Sequence, residues 1–296
     1  MTHNIHDIGY KRLFGNKTIF RQLIETFVEE DWVQELDFDQ ATPLDKSFVS
    51  DHYKETESDI IYSVPLLMAD GTMQDVFFYI LVEFQSTVQR FMVLRMLHYV
   101  TGFYLDFLHT HGIKSVKKLP AILPIVLYNG EERWTAPENI ADLIEDYPPL
   151  GKYRPDFEYL KLIENEYSKE GLLKTRNIVT LLFLVEAYYD IELLQDELLA
   201  LYDDDEMERE ALYIFLNWFK QLAIHGRIDE DEYGSLEQTI ADREEVQSML
   251  LKALEREKAA LREEGREEGV EKALKRGLKS ARLWQKIAET ERLFSQ

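Results

Sequence analysis

Two short segments put acids where apolar strands leave little room for them. In Ser58-Asp59-Ile60-Ile61-Tyr62 an acid enters a strand-like run, and in Ile80-Leu81-Val82-Glu83-Phe84-Gln85 an acid and an amide leave one. A carboxylate beside a core needs a charge partner, a proton or a metal ion. Residues 83 and 85 are two apart, so on a strand their side chains share one face. Paired as a hairpin, the two strands would bring Asp59, Glu83 and Gln85 to one end of a sheet. The chemistry this points to is a metal site.

The elements that must position these residues are readable from periodicity. From about His6 to Val28, Ile8, Phe14, Phe20, Leu23, Ile24 and Phe27 return at helical spacing, with an interruption near Gly15. Ser47–Ser50 and Asp59–Val64 read as strands, and Ala69-Asp70-Gly71-Thr72 as a turn. Val76–Val82 is an unbroken apolar run, the pattern of a strand buried on both faces. Arg90 to about Leu108 reads as a helix, and Pro124–Tyr128 as a second buried strand that starts near its proline and ends at Asn129-Gly130. The expected order is α-β-β-β-α-β, an α/β class with a mixed sheet and flanking helices.

Beyond Trp134 the pattern changes. Prolines at 137, 148, 149 and 155 mark an irregular stretch, and from about Ile178 the chain is rich in Leu, Glu and aromatics at helical spacing. Tyr188, Tyr189, Tyr202, Tyr213, Phe215, Trp218 and Phe219 are expected in a helical core rather than on a base-stacking surface. From about Glu244 a charged helix is expected, with Val270, Leu274, Gly277, Ala281, Trp284 and Ala288 at heptad-like spacing. A coiled coil or docking arm, used for self-association, and a freely solvated helix both fit it. The domain reading is therefore 1–135 as an α/β core, 136–243 as mainly helical and 244–296 as a charged helical tail.

Composition narrows the functions. The chain has 296 residues and a globular share of apolar residues, enough for a sizeable core. It has no cysteine, which excludes disulfides and thiol catalysis and fits a reducing, cytoplasmic setting. The N-terminus lacks a signal-peptide pattern, and no apolar run reaches the ~20 residues that span a bilayer. A net charge of -22 repels a polyanion, so nucleic acid would have to be held by local cations. His109 and His111 lack further ligands for zinc, and no Gly-x-Ser-x-Gly, Walker or Rossmann pattern occurs.

The α-β-β-β-α-β order with Asp59 and Glu83-Phe84-Gln85 resembles the PD-(D/E)XK nuclease superfamily, which has a restriction-endonuclease-like core. More closely, the chain is similar to the Rpn family of recombination-promoting nucleases, the YhgA-like transposase group. His6-Asp7 with Lys11 and Phe14, Arg95 with Tyr99, and Pro124-Ile125-Val126-Leu127-Tyr128-Asn129-Gly130 continue the match over roughly the first half.

That resemblance implies a magnesium-dependent endonuclease acting on DNA, with a role in recombination or mobile elements. Asp59, Glu83 and the Phe84 carbonyl would hold the ion, with manganese as a substitute. Gln85 stands where the superfamily has lysine, and offers an amide but neither charge nor a useful pKa. Asp7, Lys11, Arg95 and Tyr99 would be adjacent to the site or touch nucleic acid. Plainer roles fit the same residues: Asp59 as a turn cap, Gln85 as a strand end, His6 and Asp7 as helix caps, Arg95 and Tyr99 as a packing pair. The rival function is a non-catalytic interaction protein that binds partners through its acidic helical half and tail.

Overall fold

Asn16 divides the first amphipathic stretch into two helices. In the computed structural model, α1 runs His3–Gly15 and α2 runs Lys17–Phe27. The Asn16 side chain accepts hydrogen bonds from the Thr18 and Ile19 N–H groups at 3.0 and 3.1 Å, which satisfies two otherwise unpaired donors of α2. The structure describes residues 3–44, 59–83, 88–130, 132–149, 151–188, 191–203 and 209–224. The chain divides into two compact units, Met1–Leu236 and Glu237–Gln296, and every described residue belongs to the first. The expected charged tail therefore lies outside the described residues.

Among the described residues, five strands form one sheet in sequential order. They are β1 (Thr42–Pro43), β2 (Asp59–Leu67), β3 (Met73–Glu83), β4 (Ala121–Tyr128) and β5 (Leu160–Ile163). β1, β2 and β3 are antiparallel neighbours, while β3, β4 and β5 are parallel. Between β3 and β4 the chain crosses over through α3, Met92–His111, as a parallel pair requires. The β2–β3 hairpin closes at the expected turn. There the Asp70 carboxylate accepts from the Thr72 hydroxyl and N–H at 2.6 and 3.0 Å, and Gly71 takes a φ of 81°.

Three elements differ from the sequence reading. A two-residue strand not read from the sequence, Thr42–Pro43, precedes β2, while the strand expected at Ser47–Ser50 lies outside the described residues. The chain on either side of β1 is held along the outer edge of β2 by hydrogen bonds from Asp37 N–H to the Pro65 carbonyl and from Leu44 N–H to the Ile61 carbonyl, both 2.8 Å. β4 begins at Ala121, three residues before the proline expected to start it. β5 covers the other edge of β4 only from Ile125 onward, so Pro124 sits where that edge is still open and a missing N–H costs little. The sheet also continues past Trp134, because β5 arises within the stretch read as mainly helical.

Helices cover both faces. Ile61, Phe77, Tyr79, Leu81, Val126 and Tyr128 pack with Met92, Val93, Met96 and Phe103 of α3. On the opposite face, Phe20 of α2 stacks on Tyr62 with ring centroids 3.9 Å apart and meets Phe78 edge-on. The Tyr62 hydroxyl reaches back to donate to the Gly15 carbonyl at 2.6 Å. Behind α1 and α2 lie α4 (Lys169–Leu172), α5 (Ile178–Tyr188), α6 (Ile191–Asp203) and α7 (Arg209–Ile224).

α5 is buried from Ile178 through Val185, and α2 supplies its start: the Gln22 side chain accepts from Ile178 N–H at 3.0 Å. Tyr213, Phe215, Trp218 and Phe219 are core, as expected. Tyr188 is not. It sits exposed at the end of α5 and its hydroxyl donates to the Tyr167 carbonyl, while Tyr189 lies outside the described residues. Among the described residues no helix is long and apolar enough to cross a membrane.

The helix break and the aromatic stack respond to different substitutions. Asn16→Ala removes a cap and is expected to cost about 1 kcal/mol of unfolding free energy. Phe20→Ala opens a cavity between α2 and the sheet and is expected to cost about 3–5 kcal/mol. Urea unfolding of the two variants beside wild type measures both.

Candidate functional site

Strand register brings the two acidic positions to one end of the sheet. Asp59 pairs with Leu81 across the β2–β3 hairpin, and Glu83 follows Leu81 by two residues and pairs with Tyr128 of β4. Positions 59, 81 and 83 thus fall on one pleat, with 59 and 83 as diagonal neighbours, a relation that spans about 7–8 Å in sheets generally. That pleat is the α3 side, since Tyr79 and Leu81 pack there. The side chains of Asp59 and Glu83, and residues Phe84 and Gln85 altogether, lie outside the described residues.

Arg95 and Tyr99 come together on α3 over the same face. Arg95 Nε donates to the Tyr99 hydroxyl at 2.8 Å and Nη1 to Gln89 Oε1 at 3.3 Å. The Tyr99 ring stacks on Tyr79 with a 5.8 Å centroid separation and a 10° interplanar angle. The guanidinium is therefore fixed beside strand β3, two pleats back from Glu83. Nearby, the segment after β3 is tied to the loop after β4 by a hydrogen bond from Val88 N–H to Glu132 Oε2 at 2.9 Å.

The carboxyl ends of the three parallel strands share this edge, because Glu83 pairs with Tyr128 and Tyr128 with Ile163. Open sheets with such an edge commonly bind ligands outside it. The residues that follow are not idle. Asn129, whose sequence context reads as a simple turn, donates from Nδ2 to the Tyr10 hydroxyl at 3.0 Å. Tyr10 in turn donates to Glu164 Oε2 at 2.9 Å. Gly130 is needed for close approach: a Cβ there would overlap the Tyr128 ring, whose hydroxyl donates to the Glu132 carbonyl at 3.0 Å.

Glu164 is 1 % exposed, and burial foremost, then the charge of Glu186, pushes its carboxyl well above the ordinary carboxylate range. The bond from Tyr10 pulls the other way. Tyr10 is itself pushed well up by burial and then by Glu164 and Glu186.

Sequence reasoning set the acids at 59 and 83 near one sheet end and paired Arg95 with Tyr99, but it gave no role to Tyr10, Glu164 or Glu186 and read Asn129 as a turn. One available signal was Glu164 itself, an acid directly after the alternating Leu160-Lys161-Leu162-Ile163 stretch. Of the remaining sequence candidates, Lys11 is half-buried on α1 one residue after Tyr10, and Asp7 is on the same helix with its side chain outside the described residues. Among the described residues there is no cluster of three or more His, Cys, Asp or Glu side chains able to hold a metal ion.

Comparison with known proteins gives one consistent family. Residues 4–212 match the family described as "Putative transposase, YhgA-like". Among curated proteins of Escherichia coli (strain K12), the chain is 22% identical over 219 residues to the recombination-promoting nuclease RpnC, covering 73% of this chain and 70% of that one. It is 23% identical over 178 residues to the inactive recombination-promoting nuclease-like protein RpnE, covering 60% of this chain and 52% of the relative, so it spans about half that protein's length. To the recombination-promoting nuclease RpnA it is 30% identical over 86 residues, 29% of this chain and 26% of the relative. No solved structure matches.

The edge can be probed through its glycine. Gly130→Ala must displace the Tyr128 ring and is expected to cost about 1–3 kcal/mol by overpacking. Gly15→Ala, with open space at its Cβ, is expected to be neutral or slightly stabilising. Thermal melts of the two variants distinguish close approach from mere turn flexibility.

Proposed function

The chain belongs to the YhgA-like family, and on that premise we propose that it is a metal-dependent DNA endonuclease with a restriction-endonuclease-like core, acting in recombination or on mobile elements. The observation that carries this reading is the register that sets positions 59 and 83 at one end of adjacent strands, on the pleat faced by Arg95 and Tyr99. The relatives named as nucleases support the reaction class.

The donor types fit magnesium: two carboxylates and a backbone carbonyl are hard oxygens, and a partly hydrated ion needs few of them. Asp59, Glu83 and the Phe84 carbonyl would hold it. Bound there, the ion would supply polarisation of the phosphodiester and a lower pKa for the attacking water. Gln85, two residues after Glu83 in sequence, would orient that water through its amide. It cannot act as a base or a cation at that point. Arg95, oriented by Tyr99 and Gln89, would supply positive charge to the DNA backbone, with Lys11 as a second cation from α1. Local cations are needed because the chain as a whole carries a charge of -22.

A non-catalytic reading draws support from the relative named inactive, and from glutamine in place of lysine at residue 85. One experiment separates the two. Purified protein is expected to cleave supercoiled and linear DNA with magnesium or manganese, and Asp59→Ala and Glu83→Ala are each expected to fall to background. Arg95→Ala, losing a charged hydrogen bond worth about 1.5–3 kcal/mol, is expected to cleave roughly 10- to 100-fold more slowly. Equal activity in wild type and both carboxylate variants would assign the chain to the interaction class.

A further inference from the structure

The buried group that the proposed reaction does not use is Glu164. It follows β5 directly, and four elements meet around it. Tyr10 of α1 donates to its Oε2, and Asn129 after β4 backs that tyrosine. Glu186 of α5 acts on it by charge repulsion. Trp218 of α7 packs edge-on against Tyr10 with centroids 6.0 Å apart, and its indole lies so close to Gly9 that a Cβ there would overlap it.

Oε1 of Glu164 is buried, and among the described residues no donor reaches it. Among the described residues, the titratable groups acting on the carboxyl are Tyr10 and Glu186, and neither is a cation. A full negative charge at this position would thus be desolvated beside another acid, with one neutral donor to offset it. Such a charge is far costlier than a neutral carboxyl, which needs only ordinary hydrogen bonds.

We infer that Tyr10 and Glu164 form a proton-held latch, which keeps α1 docked against the carboxyl edge of the sheet and the helices behind it while the buried Glu164 carboxyl retains a proton, and loosens it when the proton leaves. Because α1 carries Asp7 and Lys11, the latch sets where that helix stands beside the edge. The inference does not rest on the nuclease reading, and its test uses no cleavage assay.

The sign follows from linkage. The folded state holds a proton that the unfolded chain, with a free glutamate near pH 4.3, gives up. The stabilisation is complete below the unfolded value and declines as pH rises toward the raised folded value. Glutamine mimics the protonated acid, so Glu164→Gln removes this dependence.

The test is urea unfolding of the full-length protein from about pH 5 to about pH 9, beside Glu164→Gln, with hydrogen exchange of the α1 amides followed in parallel. Relative to the variant, the wild-type unfolding constant is expected to rise by about tenfold per pH unit across the window, with α1 losing protection first. Tyr10→Phe provides a second arm. Its lost hydrogen bond favoured the charged form, so the window should extend to higher pH. Parallel profiles for wild type and Glu164→Gln would overturn the latch, as would an unchanged window in Tyr10→Phe. A wild-type profile that moves on adding magnesium or calcium, with Glu164→Gln unresponsive, would overturn it too, because a cation and not a proton would then neutralise Glu164.

Discussion

Strand β3 is hydrogen-bonded along both edges, antiparallel to β2 and parallel to β4, and its residues Val76 through Val82 are buried on both faces. Nothing else in the sheet can be placed without it. Burial on two faces demands two helical layers, which α3 provides on one side and α1 with α2 on the other. The parallel partner demands a crossover, which α3 also provides. A one-residue slip of β2 against β3 would send Tyr62 away from Phe20 and move position 59 to the opposite face from 83. Core packing and the alignment of the acidic positions therefore depend on the same register.

This coupling explains why the polar residues gather at one edge. Strand interiors that face two apolar layers cannot carry unpaired charge, so carboxylates are tolerated only where the pleat runs out. Asp59 enters β2 and Glu83 ends β3 at that boundary. Arg95 reaches the same end on α3, with its side chain anchored by Tyr99 and Gln89 and so spared much of the rotamer entropy a free arginine would lose on binding. Fixing a cation in this way matters more in a strongly acidic chain than in a basic one, since no diffuse field attracts a polyanion.

At the same edge the fold takes a different course two strands further on. Glu164 is held inside rather than at the rim, with Tyr10 and Asn129 completing a chain of hydrogen bonds across elements distant in sequence. Acidic positions thus lie along one row of strand ends, those at 59 and 83 where β2 begins and β3 ends, and Glu164 buried among helices. The buried one ties the N-terminal helix to the helical layer that follows β5, and Trp218 against Gly9 and Tyr10 adds an apolar clasp beside it.

Local patterns were readable wherever neighbours in sequence decide the outcome. The apolar run at Val76–Val82 requires a strand buried on both faces, the Asp70-Gly71 turn closes its hairpin, and the helix must break at Gly15-Asn16 because the asparagine side chain satisfies the next helix's N–H groups. The acids at 59 and 83 stand out because apolar strands disfavour them, and the i, i+4 spacing of Arg95 and Tyr99 implies their contact.

What the sequence left open depends on partners far along the chain. Leu160–Ile163 is too short to declare itself a strand and becomes one because β4 offers a free edge from Ile125 onward. Pro124 is admitted inside β4 for a related reason. Asn129 looks like a turn residue until Tyr10, 119 residues away, takes its amide, and Glu164 looks like a surface acid until that tyrosine, 154 residues away, meets its carboxyl. Turn propensity and side-chain alternation are short-range and survive in any sequence window. Burial of a single polar group is decided only when the layers close over it.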